Sequence, residues 1–438
     1  MDQTEALIIE TIDRHREEIL EFARDIYSHA ELGYKEFQTS GKFVKKMEQL
    51  GLRTEKGFAI TGVKAYLNED KKENASLALL GELDALRIPE HAFANPETNA
   101  AHCCGHHAQM AGVFGAALAL TVPEIAEKLD GQVVFFATPA EEYGEIEFKN
   151  QLREQGKIRY GGGKCELLRI GAFDDIDLCL THHIRPGNEI LVGSGTGNGF
   201  VSKVIRVLGK ASHAAGAPEK GVNALSAASL GLQALGLNRE TFRDEDCVRV
   251  HPIITKGGNL VNVIPDEVVV ETLVRGKTIE AFTDAAKKTD RSFKAGAIAM
   301  GAKVEISTLP GYLPTLAEEA LPELKHAAEI SASDIPVIEA SGHAGGSTDV
   351  GDVQHLMTVY TFNTGGVKGG LHQIDFEVTD EEEAYIVTAK MFALAAYGLL
   401  KEKAQRSREL VDQYEPVFKN SAEYVEFMEQ FDSKEIFE

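Results

Sequence analysis

Four short apolar runs in this chain each end in residue types that bind metal ions or move protons. Residues 76–80 (SLALL) run into Glu82-Leu83-Asp84, and residues 132–137 (QVVFFA) run into Pro139-Ala140-Glu141-Glu142. Residues 177–180 (DLCL) run into His182-His183, and residues 357–362 (MTVYTF) are followed, past a glycine-rich turn, by His372. An apolar helical pattern at 108–120 lies between the first two runs. Continuous apolar runs alternating with helices predict an α/β fold, a mostly parallel sheet with helices on both faces. Ligands of such sheets sit in the crevice beyond the strand carboxyl ends. The polar residues occur at that end every time.

The remaining periodicity divides the chain. Apolar spacing predicts helices at 5–27 and 37–50. Residues 193–199 (GSGTGNG) form a flexible crossing. Beyond it the pattern gives strand 201–208, helix 222–236, strands 248–255 and 266–275, helix 279–299 and strand 302–309. That β-α-β-β-α-β order is the ferredoxin-like split motif. The expected organisation is a metal-binding domain, 1–195 and 313–438, interrupted by a smaller inserted α+β domain, 196–312. The segment after 400 reads as a charged helix.

Composition narrows the function. Lys+Arg 45 against Asp+Glu 68 gives −23 with no basic run, which disfavours nucleic acid and anionic membranes as partners. The five cysteines are odd in number and two are adjacent, which is not a disulfide framework. The acidic, amphipathic start lacks the layout of a signal peptide. No apolar run reaches about 18 residues, so no membrane span is expected. A reducing cytoplasm is the expected location.

The local chemistry is that of a metal site. In His102-Cys103-Cys104-Gly105-His106-His107, one glycine separates Cys104 from His106, so a tight turn lets both face one ion. The segment precedes a helix, whose N-terminus favours thiolate. Zinc and similar ions take thiolate, imidazole and carboxylate together. A buried cysteine and a hydrogen-bonded histidine are the plain alternative for either residue alone. A closed structural zinc site would want paired spacings that are absent. In the Glu141-Glu142 pair, consecutive side chains of an extended segment diverge. One can bind metal while the other takes a proton from water. On a loop of the inserted domain, His213 could donate to a developing oxyanion. Asn262 and Arg275 suit a substrate carbonyl and carboxylate, or else are a turn amide and a strand-end cation.

Taken in order, CCGHH, PAEE, HHIRP, GKASHAA, NVIPDE and GSTDVGDV resemble the aminoacylase/carboxypeptidase family of di-metal amidohydrolases, a metallopeptidase family. GELDAL and the stretch GGGKCELLRIGAFDDIDLCLTHH resemble one branch, that of aminobenzoyl-glutamate hydrolase subunits and β-alanyl dipeptidase-like proteins. The resemblance implies two divalent ions per subunit, zinc or manganese. It implies Cys104, His106, Glu142, His183 and His372 as their ligands, and Glu141 as general base. Asp84 matches an acid that orients a ligand, and His213 and Asn262 match lid residues that contact substrate. It also implies a homodimer, with a hetero-oligomer as the other possibility. This sequence departs from the family in three places. Glu82-Leu83-Asp84 stands for the common His-x-Asp, His107 for an Asp or Asn, and Gln109 for a His. His107 is expected beside the ligands rather than among them, and His183 rather than His182 as the ligand.

The expected activity is hydrolysis of the amide bond of an N-acyl amino acid or small dipeptide-like molecule. Two alternatives come from other classes. One is Cys-His nucleophilic catalysis with Cys104 attacking, which leaves the glutamates and His372 unused. The other is a non-catalytic binding protein that kept the fold.

Overall fold

A computed structural model describes all residues, 1–438. The chain divides into two compact units. The larger comprises residues 1–195, 316–342 and 352–421, and the smaller residues 196–315, 343–351 and 422–438.

The larger unit is built on an eight-stranded sheet. Its centre is four parallel strands in the order Gln132–Thr138, Ser76–Glu82, Leu178–Ile184 and Thr358–Thr364. These are the four apolar runs, each extended by one or more residues into the polar segment that follows it. The first three are buried at nearly every position, as strands covered on both faces must be. Arg53–Phe58 and Gly62–Leu67 add an antiparallel edge, and Ile190–Val192 and Val337–Glu339 extend the other side.

Helix His106–Leu120 is buried along its whole length, so it carries no polar face. The predicted helix over 5–27 is two helices, Gln3–Arg14 and Arg16–Ser28, separated at His15. A helix over Glu382–Gln413 has the length and apolar composition of a membrane span, although the sequence suggested no such run. Its 18-residue apolar window is 89 % buried inside the protein, so its apolarity serves the core. The helical path breaks at Lys401–Ala404.

The smaller unit is an antiparallel sheet in the order Arg249–Val250, Glu267–Gly276, Gly199–Leu208, Lys303–Pro310 and Ser433–Phe437. Helices Ala224–Asn238 and Ile279–Met300 share a core with its buried face, where Phe293 of the second helix meets Ile205, Val207 and Val268 of the sheet. Burial alternates strictly along Glu267–Gly276, which marks a sheet covered on one face. The expected strand 248–255 is interrupted around Pro252, giving Arg249–Val250 and Ile253–Lys256. Residues 422–438, expected with the larger domain, lie in the smaller unit because Ser433–Phe437 pairs with Lys303–Pro310.

One half-buried acid of the larger unit is expected to make folding sensitive to pH. The Glu318 carboxyl accepts the Thr361 backbone N–H and its hydroxyl, and the Gln354 side-chain amide. Burial pushes it up to about 8. An unfolded glutamate titrates near about 4.3. Below that pH both states are protonated and the residue costs nothing. As pH rises the unfolded chain ionises first, so the cost grows until it is complete above the folded value. Glu318→Gln is expected to raise Tm over wild type at pH 8.5 and to raise it much less at pH 4.5. Thermal unfolding of both proteins at both values checks this, and an equal difference at each would contradict it.

Candidate metal centre

The expected ligands, remote in sequence, meet at the ends of the parallel strands. Gly105 makes the meeting possible. Its φ is +89°, and a Cβ there would lie 2.0 Å from Ile184 Cγ2. Only glycine lets the start of helix His106–Leu120 press against the end of strand Leu178–Ile184. Cys104 Sγ then lies 3.3 Å from His183 Nε2 and 3.2 Å from His372 Nε2. His372 is held there by its own backbone N–H, which donates to the Cys103 carbonyl at 3.0 Å. Its Nε2 is 3.1 Å from Glu142 Oε1.

Two donor groups share the thiol: Cys104, His106 and His183, and Cys104, Glu142 and His372. Each group's ligand atoms lie within 4.8 Å of one another. The rings are aimed by their other nitrogens. His106 Nδ1 is 2.9 Å from the Asp84 carbonyl, and His183 Nδ1 is 2.8 Å from the Ile184 carbonyl. Each Nδ1–H donates there, which leaves Nε2 as the metal-facing lone pair.

A third group, Glu82, His106 and Glu141, adjoins these two. Glu82 Oε2 is 3.1 Å from His106 Nε2, and Glu141 Oε2 is 3.9 Å from it. In the sequence Glu82 stands out only as a departure from His-x-Asp. In the structure it ends a buried network. The fully buried Lys164 donates to Glu82 Oε1 at 2.5 Å, and the Gln109 amide donates to Oε2 at 2.8 Å. No local spacing marks Lys164, which lies 82 residues away in the chain.

The remaining expected residues fall as follows. Asp84 is buried and accepts the backbone N–H of Glu141 at 3.1 Å and of Glu142 at 2.9 Å, one on each oxygen. It holds the segment that carries both glutamates. His107 is in none of the donor groups; its Nε2 is 3.1 Å from the Tyr385 hydroxyl, and burial pushes its pKa down to about 3. His182 is buried against Thr364 Oγ1 at 2.8 Å, also outside the groups. In the smaller unit, the exposed His213 accepts the backbone N–H of Ala215 and Gly216 on Nδ1. Its outward Nε2 is therefore a donor. The Asn262 carbonyl accepts the Ala214 N–H at 3.0 Å, which ties its loop to His213. The Arg275 guanidinium lies over the Phe200 ring, 5.8 Å from the centroid.

Electrostatics correct one expectation and support another. Burial, with Glu142 next, pushes the Cys104 thiol well up, so the helix N-terminus does not by itself produce a thiolate. That weakens the nucleophilic-cysteine alternative. Burial opposes a charged His106, but Glu82 and Cys104 outweigh it and its pKa is raised well above normal. Burial also opposes charge on Glu82, yet Lys164 and His106 bring it below the usual carboxylate range. The residues fit a divalent cation. His106 Nε2 is buried and has no hydrogen-bond partner of acceptable geometry. A thiol, imidazoles and carboxylates converge from buried Cys104 and His106 out to exposed His372, the donor chemistry that zinc and manganese take.

The family model described as peptidase family M20/M25/M40 matches residues 78–397. The chain belongs to this family. It is 29 % identical over 306 residues to the Xaa-Arg dipeptidase of Mus musculus, a match covering 68 % of this chain and 64 % of that protein. It is 27 % identical over 315 residues to one of the subunits of the p-aminobenzoyl-glutamate hydrolase of Escherichia coli (strain K12), covering 70 % and 60 %. The matched region is thus less than two thirds of either relative's length. Among solved structures, a dinuclear metal-binding M20-family peptidase from Bacillus subtilis superposes with a TM-score of 0.61 at 23 % identity, over 89 % of this chain and 99 % of that one. This M20-family chain therefore shares the mixed α/β fold of those peptidases.

Proposed function

We propose that this chain is a metal-dependent amidohydrolase that cleaves the amide bond of an N-acyl amino acid or small dipeptide-like molecule with a free carboxylate. The observation that carries the reading is the shared thiol: Cys104 joins two donor groups, and Glu141, in neither, stands beside them. The names of the relatives, a dipeptidase and a component of an aminobenzoyl-glutamate hydrolase, support the substrate class.

Cys104, His106 and His183 would hold one ion, and Cys104, Glu142 and His372 a second, either zinc or manganese. When bound, such ions supply Lewis acidity, polarising the scissile carbonyl and making nearby water more acidic. Glu141 takes a proton from the attacking water, whose oxygen bonds to the carbonyl carbon. Glu141 then returns the proton to the amide nitrogen as the C–N bond breaks, giving a carboxylic acid and an amine. Asp84 orients the Glu141-Glu142 segment through the two backbone N–H groups. His213 Nε2–H donates to the developing oxyanion, and Asn262 and Arg275 bind the substrate carbonyl and carboxylate.

In this reading the larger unit, residues 1–195, 316–342 and 352–421, is the catalytic domain, and the smaller unit, residues 196–315, 343–351 and 422–438, is a lid and dimerisation domain. The protein is a cytoplasmic homodimer, or pairs with a second subunit type. The test is a screen of N-acyl amino acids, p-aminobenzoyl-glutamate and β-alanyl dipeptides on metal-loaded protein, with elemental analysis. Hydrolysis that a chelator abolishes and Mn²⁺ or Zn²⁺ restores is expected. Hydrolysis that survives full removal of metal would refute the reading, as would two bound ions with no substrate cleaved.

A further inference from the structure

The turn that presents Glu141 is bent into an unusual shape and held from one side by a residue with no part in the metal groups. Ala140 has φ +50°, in the left-handed region that a residue with a Cβ adopts at a cost. All three successive N–H groups of residues 140–142 end on buried carboxylates. Asp84 takes those of Glu141 and Glu142. Glu36 takes that of Ala140, with Oε1 at 2.8 Å, across 104 residues of sequence. The other oxygen of Glu36 accepts the Thr61 hydroxyl at 2.7 Å, and Glu36 has no solvent exposure.

Glu36 immediately precedes helix Phe37–Gln49 but does not cap it. Glu31 does that work, accepting the N–H of Gln38 at 3.2 Å and of Thr39 at 2.9 Å. The Glu36 carboxylate is therefore available to the turn. On the opposite side the Ala140 carbonyl accepts the Gly163 N–H at 3.0 Å, and a Cβ on Gly163 would meet the Pro139 carbonyl oxygen at 1.6 Å.

We infer that Glu36 is a positioning residue for the proton-transfer base: by holding the Ala140 N–H it fixes the left-handed turn that aims Glu141. Without it, Ala140 relaxes toward negative φ and Glu141 swings, while Asp84 still anchors the backbone of Glu142. Turnover should fall more than ion binding does. The inference rests on the hydrolase reading for its effect on turnover, but its structural core is measured without substrate.

The experiment compares Glu36→Ala, Glu36→Gln and Thr61→Val, together with Ala140→Gly placed in the Glu36→Ala background. Hydrogen exchange read by mass spectrometry on a peptide spanning residues 139–143 is expected to show lost protection in Glu36→Ala and retained protection in Glu36→Gln. With a substrate from the screen, Glu36→Ala lowers kcat about 10- to 100-fold, keeps KM within about threefold and keeps wild-type ions per chain, on the general scale for misplacing a catalytic group. Glu36→Gln, which keeps an acceptor for the Ala140 N–H, restores kcat to within about threefold. Ala140→Gly, which makes positive φ easy, recovers part of the loss. Thr61→Val loosens Glu36 without emptying its place and lowers kcat by less, which keeps the test open if Glu36→Ala does not fold. Unchanged exchange in folded Glu36→Ala overturns the inference, as does unchanged kcat in both Glu36→Ala and Thr61→Val. A wild-type protein that cleaves nothing refutes the hydrolase reading instead, and the exchange result still decides the role of Glu36.

Discussion

Glu141→Gln is expected to keep its ions and lose about a thousandfold in kcat/KM, roughly 4 kcal/mol of transition-state stabilisation. The amide fills the same volume and preserves the backbone N–H held by Asp84, so the site should stay built. What it cannot do is accept a proton from water and return it to the leaving nitrogen. The same variant separates two roles for this residue. Glu141 also belongs to a donor group with Glu82 and His106. If it were chiefly a ligand, an ion would be lost in step with activity. Elemental analysis of gel-filtered protein beside steady-state kinetics distinguishes the two. Turnover within tenfold of wild type would sink the assignment of Glu141 as the base.

Cys104→Ala is expected to have the largest effect on metal content of any single change. Its sulfur is common to both groups, whereas His183 and His372 each belong to one. The affinity of each ion should fall more than 100-fold, beyond the roughly 10- to 100-fold typical of losing a ligand's supporting partner. His183→Ala and His372→Ala should each weaken mainly one ion. Uptake should also depend on pH in a definite direction. Burial raises the Cys104 thiol, and Glu82 with Cys104 raises His106, so both hold their protons more tightly than usual in the ion-free chain. Binding must displace those protons, so affinity strengthens as pH rises and weakens as it falls. Competition titrations with a metal-sensing dye at pH 6 and pH 8 check both points. Full ion content at wild-type affinity in Cys104→Ala would show that the thiol is a bystander.

The sheet was legible because strands buried on both faces leave no polar positions to interrupt an apolar run, as in Ser76–Glu82 and Gln132–Thr138. The candidate donors were legible because they cluster at the ends of such strands. Less was visible where a residue acts on a remote backbone. Glu36 serves Ala140 over 104 residues, and Lys164 serves Glu82 over 82, and neither spacing leaves a local pattern. The strand Ser433–Phe437 was hidden for another reason. It lies at a sheet edge with only its last residue even partly covered, so its sequence is charged and resembles the helix that precedes it. The direction of the Cys104 shift was misjudged because position at a helix start is visible in sequence and depth of burial is not.

Cys104 and His372 are separated by 268 residues, yet their side chains touch. A ribosome reaches the histidine only after most of the polypeptide has been made, with the whole of the interrupting module already translated. No early segment of the nascent chain can therefore assemble the second donor group, and in the proposed reading its cation would be loaded late rather than seed collapse. The first group, complete at His183, sets no such limit. On that order of synthesis, the apolar strands and the buried helix His106–Leu120 can form before the second donor group exists.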